Sequence, residues 1–159
     1  MKRAPFYFIL VLSTFFAGLA QAEDLKPREG WEVFPTDKSY DTLLTDLKQA
    51  VTDNGMGVVT EAGPTETAAA RGVTIPGNRV VGVFNNDYAV KMLGLSTAAM
   101  IEAPIRFYVT ENTDGTATLA YKTPTTVFFP YRKEGGIELV ELAAELDSAF
   151  ATIASEAVK

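Results

Sequence analysis

Residues 105–122 read IRFYVTENTDGTATLAYK, and this stretch decides the fold. Ile105, Phe107 and Val109 alternate with Arg106, Tyr108 and Thr110. Ala117, Leu119 and Tyr121 alternate with Thr118, Ala120 and Lys122. Successive strand side chains point to opposite faces, so this period of two predicts two half-buried strands joined as a hairpin. The register follows from the loop. A two-residue Asp114-Gly115 turn would set Val109 against Ala120 and throw Leu119 onto the polar face. A three-residue loop, Thr113-Asp114-Gly115, sets Val109 opposite Leu119 and Phe107 opposite Tyr121. It needs a left-handed residue at its last position, where Gly115 stands. A slip of one residue would turn every side chain over, so the three-residue loop is the expectation.

Outward toward the C-terminus, Pro124 ends the second strand. Residues 127–131 read as an aromatic connector, and Glu134-Gly135-Gly136 as a loop. Leu139, Leu142, Leu146, Phe150 and Ile153 then mark one face of a long amphipathic helix.

Toward the N-terminus, Val80, Val81, Val83 and Phe84 form an apolar run expected of a strand covered on both faces. Asn86 is the expected cap of a short helix over 87–93. Ser39 is the expected cap of a helix carrying Leu43, Leu44, Leu47 and Val51, stopped by Asn54-Gly55. Residues 31–34 and 56–60 read as strands, and 65–71 as a brief helix. Strands and helices do not alternate strictly, and the clear hairpin is antiparallel. The expected class is α+β: a mainly antiparallel sheet with helices packed on one face and a long C-terminal helix, forming one domain over 31–159.

The first 22 residues read as a leader rather than as fold. Lys2 and Arg3 precede an apolar run from Phe6 to Ala20, and Ala20-Gln21-Ala22 supplies the small residues a signal peptidase reads. Cleavage after Ala22 is expected, with residues 23–30 a polar lead-in and the product periplasmic or secreted. A retained N-terminal anchor is the alternative, but a bilayer span needs about 20 apolar residues. Removing Lys2 and Arg3 leaves 12 basic residues against 20 acidic ones, a net charge of −8. Nucleic acid and anionic lipid repel such a surface, so neither they nor a membrane are expected partners after cleavage.

The 159 residues contain no histidine and no cysteine. Thiol nucleophiles, histidine-based triads, covalent haem and the usual zinc ligand sets are thereby excluded. No cofactor and no metal are expected. Thr113-Asp114-Gly115 lacks the spaced acids of a calcium loop and reads as a turn.

The hairpin register yields a candidate ligand site. On its polar face Arg106 lies opposite Lys122, with Tyr108 beside them. Directly opposed like charges cost roughly 0.2–1 kcal/mol, so an acidic protein holding two cations together implies an anion between them. Glu102 or Glu111 in an internal salt bridge is the expected partner, and a small anionic ligand gripped by the arginine fork is the alternative. The sequence leaves three functions open. One is an exported accessory or binding domain, for an anionic or amphipathic ligand or a protein partner. Another is a carboxylate-dependent cell-envelope hydrolase or lyase, with Glu102, Glu111 and Tyr121 as its clustered candidates. The third is a structural homodimer that buries the hairpin's polar face.

From Val80 to the C-terminus the chain resembles the bacterial domain-of-unknown-function family 302. The resemblance is carried by Glu102-Ala103-Pro104, the Arg106 strand, Glu111 before Asp114-Gly115, Tyr121 with Pro124, Val127-Phe128, and the Leu146-Asp147 helix. It implies an α+β fold, admits a homodimer, and supplies no reaction. Some members carry a histidine and a Phe-Gly-Asn-Pro stretch. Here Phe84 is followed by Asn85-Asn86, so no role built on those residues transfers.

Overall fold

The computed structural model describes residues 23–159, so the leader lies outside the described residues. Five strands form one antiparallel sheet: β1 (Trp31–Thr36), β2 (Gly57–Ala62), β3 (Asn78–Phe84), β4 (Ile105–Glu111) and β5 (Ala117–Lys122), in the order β1-β5-β4-β3-β2. The hairpin has the expected register, with Phe107 opposite Tyr121 and Val109 opposite Leu119. Its turn closes through Asn112 N–H to the Thr116 carbonyl at 2.8 Å, and Gly115 takes φ +84°.

Helices cover one face of the sheet. Helix α1 (Tyr40–Asp53) is capped by Ser39, whose Oγ accepts from Thr42 N–H at 3.3 Å. It buries Leu43, Leu47, Ala50 and Val51. A short helix, α2 (Thr65–Ala69), follows β2, and α3 (Asn86–Leu95) follows β3. The α3 cap is Asn85 rather than Asn86: its Oδ1 accepts from Asp87 N–H at 2.9 Å and Tyr88 N–H at 3.3 Å. Asn85 is the first extended residue after β3, so its side chain can bend back onto the opening turn.

Two C-terminal expectations change. The aromatic connector is helical, as α4 (Pro124–Phe128) followed by a 3₁₀ turn (Phe129–Tyr131). Thr123 caps α4, and Pro124 occupies the first turn, where its missing N–H costs nothing. Asp147 secures this helix from across the layer, accepting from Thr125 N–H at 2.9 Å and from Thr125 Oγ1 at 2.7 Å. The expected loop at 134–136 is likewise the opening of α5 (Arg132–Ala157), which kinks at Gly136, φ +64°. Only the second glycine breaks the helix; Gly135 is buried so close that an added Cβ would lie 2.6 Å from Leu139 Cβ.

The core sits between the sheet and α1 and α5. Phe107 and Phe150 stack with centroids 4.5 Å apart, and Tyr121 meets both edge-on at 5.2 and 5.4 Å. Met56 and Met92 are buried, and Met100 packs against the same core, as gap-filling residues do. β3 departs from expectation on one side. Val81 and Val83 face the helices, whereas Val80 is half-buried on the opposite face. Both sheet margins are irregular: β1 carries Pro35, and β2 shifts register between Val58 and Thr60. No helix among the described residues is long and apolar enough to cross a membrane.

Truncating Phe150 to Ala should remove the ring that joins α5 to the hairpin and destabilise the fold by about 3–5 kcal/mol. Urea unfolding followed by circular dichroism measures this. An unchanged midpoint would show that the stack does not hold the two layers together.

Candidate functional site

The face turned away from the helices is read rung by rung across the strands. Trp31 of β1 pairs with Lys122 of β5, and Arg106 of β4 pairs with Gly82 of β3. Because Phe107 opposes Tyr121, the next rung sets Arg106 opposite Lys122. The order along this rung is therefore Trp31, Lys122, Arg106, Gly82. The adjacent same-face rung runs Val33, Ala120, Tyr108, Val80. A depression of about 510 Å³ lies on this face. Trp31, Lys122, Arg106, Tyr108, Asn78 and Val80 line it, with Glu102 and Val127 among its other walls.

Two cations flank the indole. Lys122 Nζ lies 5.7 Å from the Trp31 ring centroid and Arg28 Cζ lies 5.3 Å from it. The Tyr108 hydroxyl accepts from Asn78 Nδ2 at 2.5 Å, which fixes the phenol at the depression wall. Arg106 and Lys122 are exposed.

The internal salt bridge expected for these cations does not form. Ion pairs among the described residues are Lys38–Asp46, Lys48–Glu61 and Arg79–Glu66, and neither Arg106 nor Lys122 joins one. The two acids nearest in sequence are engaged elsewhere. Glu102 Oε1 accepts from Tyr131 OH at 2.8 Å, a bond to a carboxylate that raises the Tyr131 phenol above its usual range. Glu111 Oε2 accepts from Gly77 N–H at 2.6 Å, closing the loop at the far end of β4.

Glu102 and Tyr121 both line the depression, but Glu111 does not join them. Glu102 precedes β4 and Glu111 ends it, and a strand of that length spans about 3.3 Å per residue. Tyr121 sits in the aromatic core, only 3% exposed. Burial, then the Glu32 and Asp147 carboxylates, pushes its phenol up to about 12. A phenol held so far above neutrality is a poor proton donor and is protonated as a base. Among the described residues no three acids converge as a metal would require.

Of the sequence-derived residues, Arg106, Lys122, Tyr108, Glu102 and Tyr121 line the depression, and Glu111 does not. Trp31, Asn78, Val80 and Val127 were missed. Trp31 enters only through the pairing of β1 with β5, strands some 90 residues apart in sequence, and no local pattern signals that pairing. Its being the single tryptophan was the one available cue.

The fold agrees with the comparisons. The family model "Domain of unknown function DUF302" matches residues 32–153, and the chain belongs to that family. The match begins well before Val80 and so takes in most of β1 together with α1 and β2. A solved structure of similar fold is the crystal structure of uncharacterized conserved protein DUF302 from Bacillus stearothermophilus. It aligns with a TM-score of 0.72 and 16% identity, over 83% of this chain and 100% of that one, a likeness of fold alone. No curated protein matches.

The raised Tyr121 value sets an alkaline limit. The folded state keeps the proton that an unfolded tyrosine releases near pH 10.0, so this contribution to stability is complete below pH 10 and is lost as pH rises toward 12. Absorbance titration of phenolate should show a late component that Tyr121→Phe removes. A parent curve identical to that of the variant would contradict the burial assigned to this ring.

Proposed function

We propose that this chain is an exported binding domain whose open sheet face takes a small anionic ligand with an aromatic or apolar body. The observation that carries this reading is that Arg106 and Lys122 stand together on the wall of a 510 Å³ depression without a carboxylate partner from the protein. Small-molecule sites commonly enclose about 300–1,000 Å³ with apolar walls and few polar groups. Arg106 offers a planar fork suited to carboxylate or phosphate, and Lys122 adds a point charge. Trp31 and Tyr108 offer ring surfaces to the ligand body. Export is supported by the basic, apolar and A-x-A sequence of residues 1–22. The hydrolase or lyase reading keeps Glu102 and the buried Tyr121 at the depression but loses its second carboxylate, Glu111, so binding is favoured over turnover.

Trp31 is the only tryptophan and lies in the depression, so its emission reports occupancy directly. Titration with benzoate and with inorganic phosphate should give saturable quenching with at least one of them. Removal of a charge-assisted hydrogen bond costs about 1.5–3 kcal/mol, so Arg106→Ala should weaken binding roughly ten- to a hundredfold. Arg106→Lys should restore only part of the loss. Equal affinity in Arg106→Ala and the parent would place the ligand elsewhere. Emission that follows protein concentration and ignores both anions would support a homodimer across this face instead.

Export has its own measurement. Protein recovered from an export-competent host should have the intact mass of a chain beginning at Glu23. A mass beginning at Met1, recovered from the cytosol, would remove the exported part of this reading.

A further inference from the structure

We infer that the groove between α3 and α5 docks a basic amphipathic helical segment of a partner protein. The first observation is the distribution of exposed apolar side chains. Of the eight large hydrophobics exposed among the described residues, six are Val90, Leu93, Ile101, Phe129, Ile137 and Val140. They lie on α3, the 3₁₀ turn over Ala98–Glu102, the turn over Phe129–Tyr131 and the start of α5, segments joined by packing contacts. Single exposed hydrophobics are ordinary, but their concentration on adjoining segments marks an interaction surface.

The second observation is a groove lined by one of these six, Val90, and flanked in sequence on α5 by Ile137 and Val140. It measures about 400 Å³, with Val90 and Gly94 of α3 on one side and Glu138, Glu141 and Glu145 of α5 on the other. Leu95 and Leu142 also line it. Three- and four-residue spacings align the carboxylates along about 10 Å of helix. None of the three joins an ion pair among the described residues. Lys91, the base lining the groove, has its ammonium 5.7 Å from the Tyr88 ring.

Charge selects the occupant. Like charges three and four apart on a helix repel, and cations arriving from outside relieve that repulsion. An anionic lipid surface would add to it. A second copy related by a two-fold axis through the groove would set one acidic row against the other. A helix with an apolar face bordered by Lys or Arg satisfies the exposed hydrophobics and the acidic row together, the helix-in-groove mode of recognition.

The test uses a fluorescein-labelled helical peptide of leucine and lysine, with the leucines along one face, and its leucine–glutamate counterpart. Anisotropy should show the lysine peptide bound at least roughly tenfold more tightly than the glutamate peptide. Glu138→Lys with Glu141→Lys should weaken it roughly tenfold, and so should Val90→Ser with Ile137→Ser. All four positions are exposed, and unchanged circular dichroism confirms that the variants fold. Glu29→Lys with Asp37→Lys makes the same change in net charge in the segments flanking β1 and should leave affinity within about twofold. Equal weakening by the two charge-reversed pairs would reduce the effect to overall charge and overturn the inference. Absence of binding overturns it as well, as would a dimer by light scattering that Ile137→Ser dissolves.

Discussion

The left-handed backbone at Gly115 holds β4 and β5 in one register, and the remaining layers depend on that register. It sends Phe107, Val109, Leu119 and Tyr121 to one side, where α1 and α5 cover them. The same alternation sends Arg106, Tyr108 and Lys122 to the other side. Core and candidate site are thus two consequences of one turn. Phe150 then fastens α5 to the hairpin through its stack on Phe107, and Asp147, one turn earlier, ties α4 to the same helix.

The parts legible in the sequence were those fixed by short-range chemistry. The alternation over 105–122 and the glycine requirement of the loop gave the register. The Ser39 side chain followed by Leu43 and Leu47 gave α1. The parts that were not legible turn on distant partners. Pro124 reads as the end of a strand, yet Thr123 and Asp147 make it the start of a helix, and Asp147 is 23 residues away. Gly135-Gly136 reads as a loop because glycine is a weak helix former, but only Gly136 leaves the helical conformation, and the space beside Leu139 leaves no room for a Cβ at Gly135. Within the site, the opposition of Arg106 and Lys122 was readable from the hairpin alone. Their neighbour Trp31 was not, and neither was the capture of Glu111 by Gly77.

The electrostatics of the two faces differ in kind. On the sheet face, cations gather on an acidic chain, with Glu102 turned to Tyr131 and Glu111 to a backbone amide. On the helical face, an acidic row borders exposed apolar side chains. A fold this small thus carries two chemically opposite surfaces, one with clustered cations beside aromatic rings and the other with an acidic row beside exposed apolar side chains. Their separation by the core lets each be altered by substitution without disturbing the other.

Pro35 in β1 and the irregular pairing of Val58 and Thr60 in β2 bear on how the molecule meets its neighbours. Proline withholds an amide from one border, and the bulge twists the other away from a straight ladder. Lateral growth by an added strand is disfavoured at both margins. Both borders thus resist backbone pairing with a neighbour, which guards a chain rich in β-branched residues against runaway polymerisation.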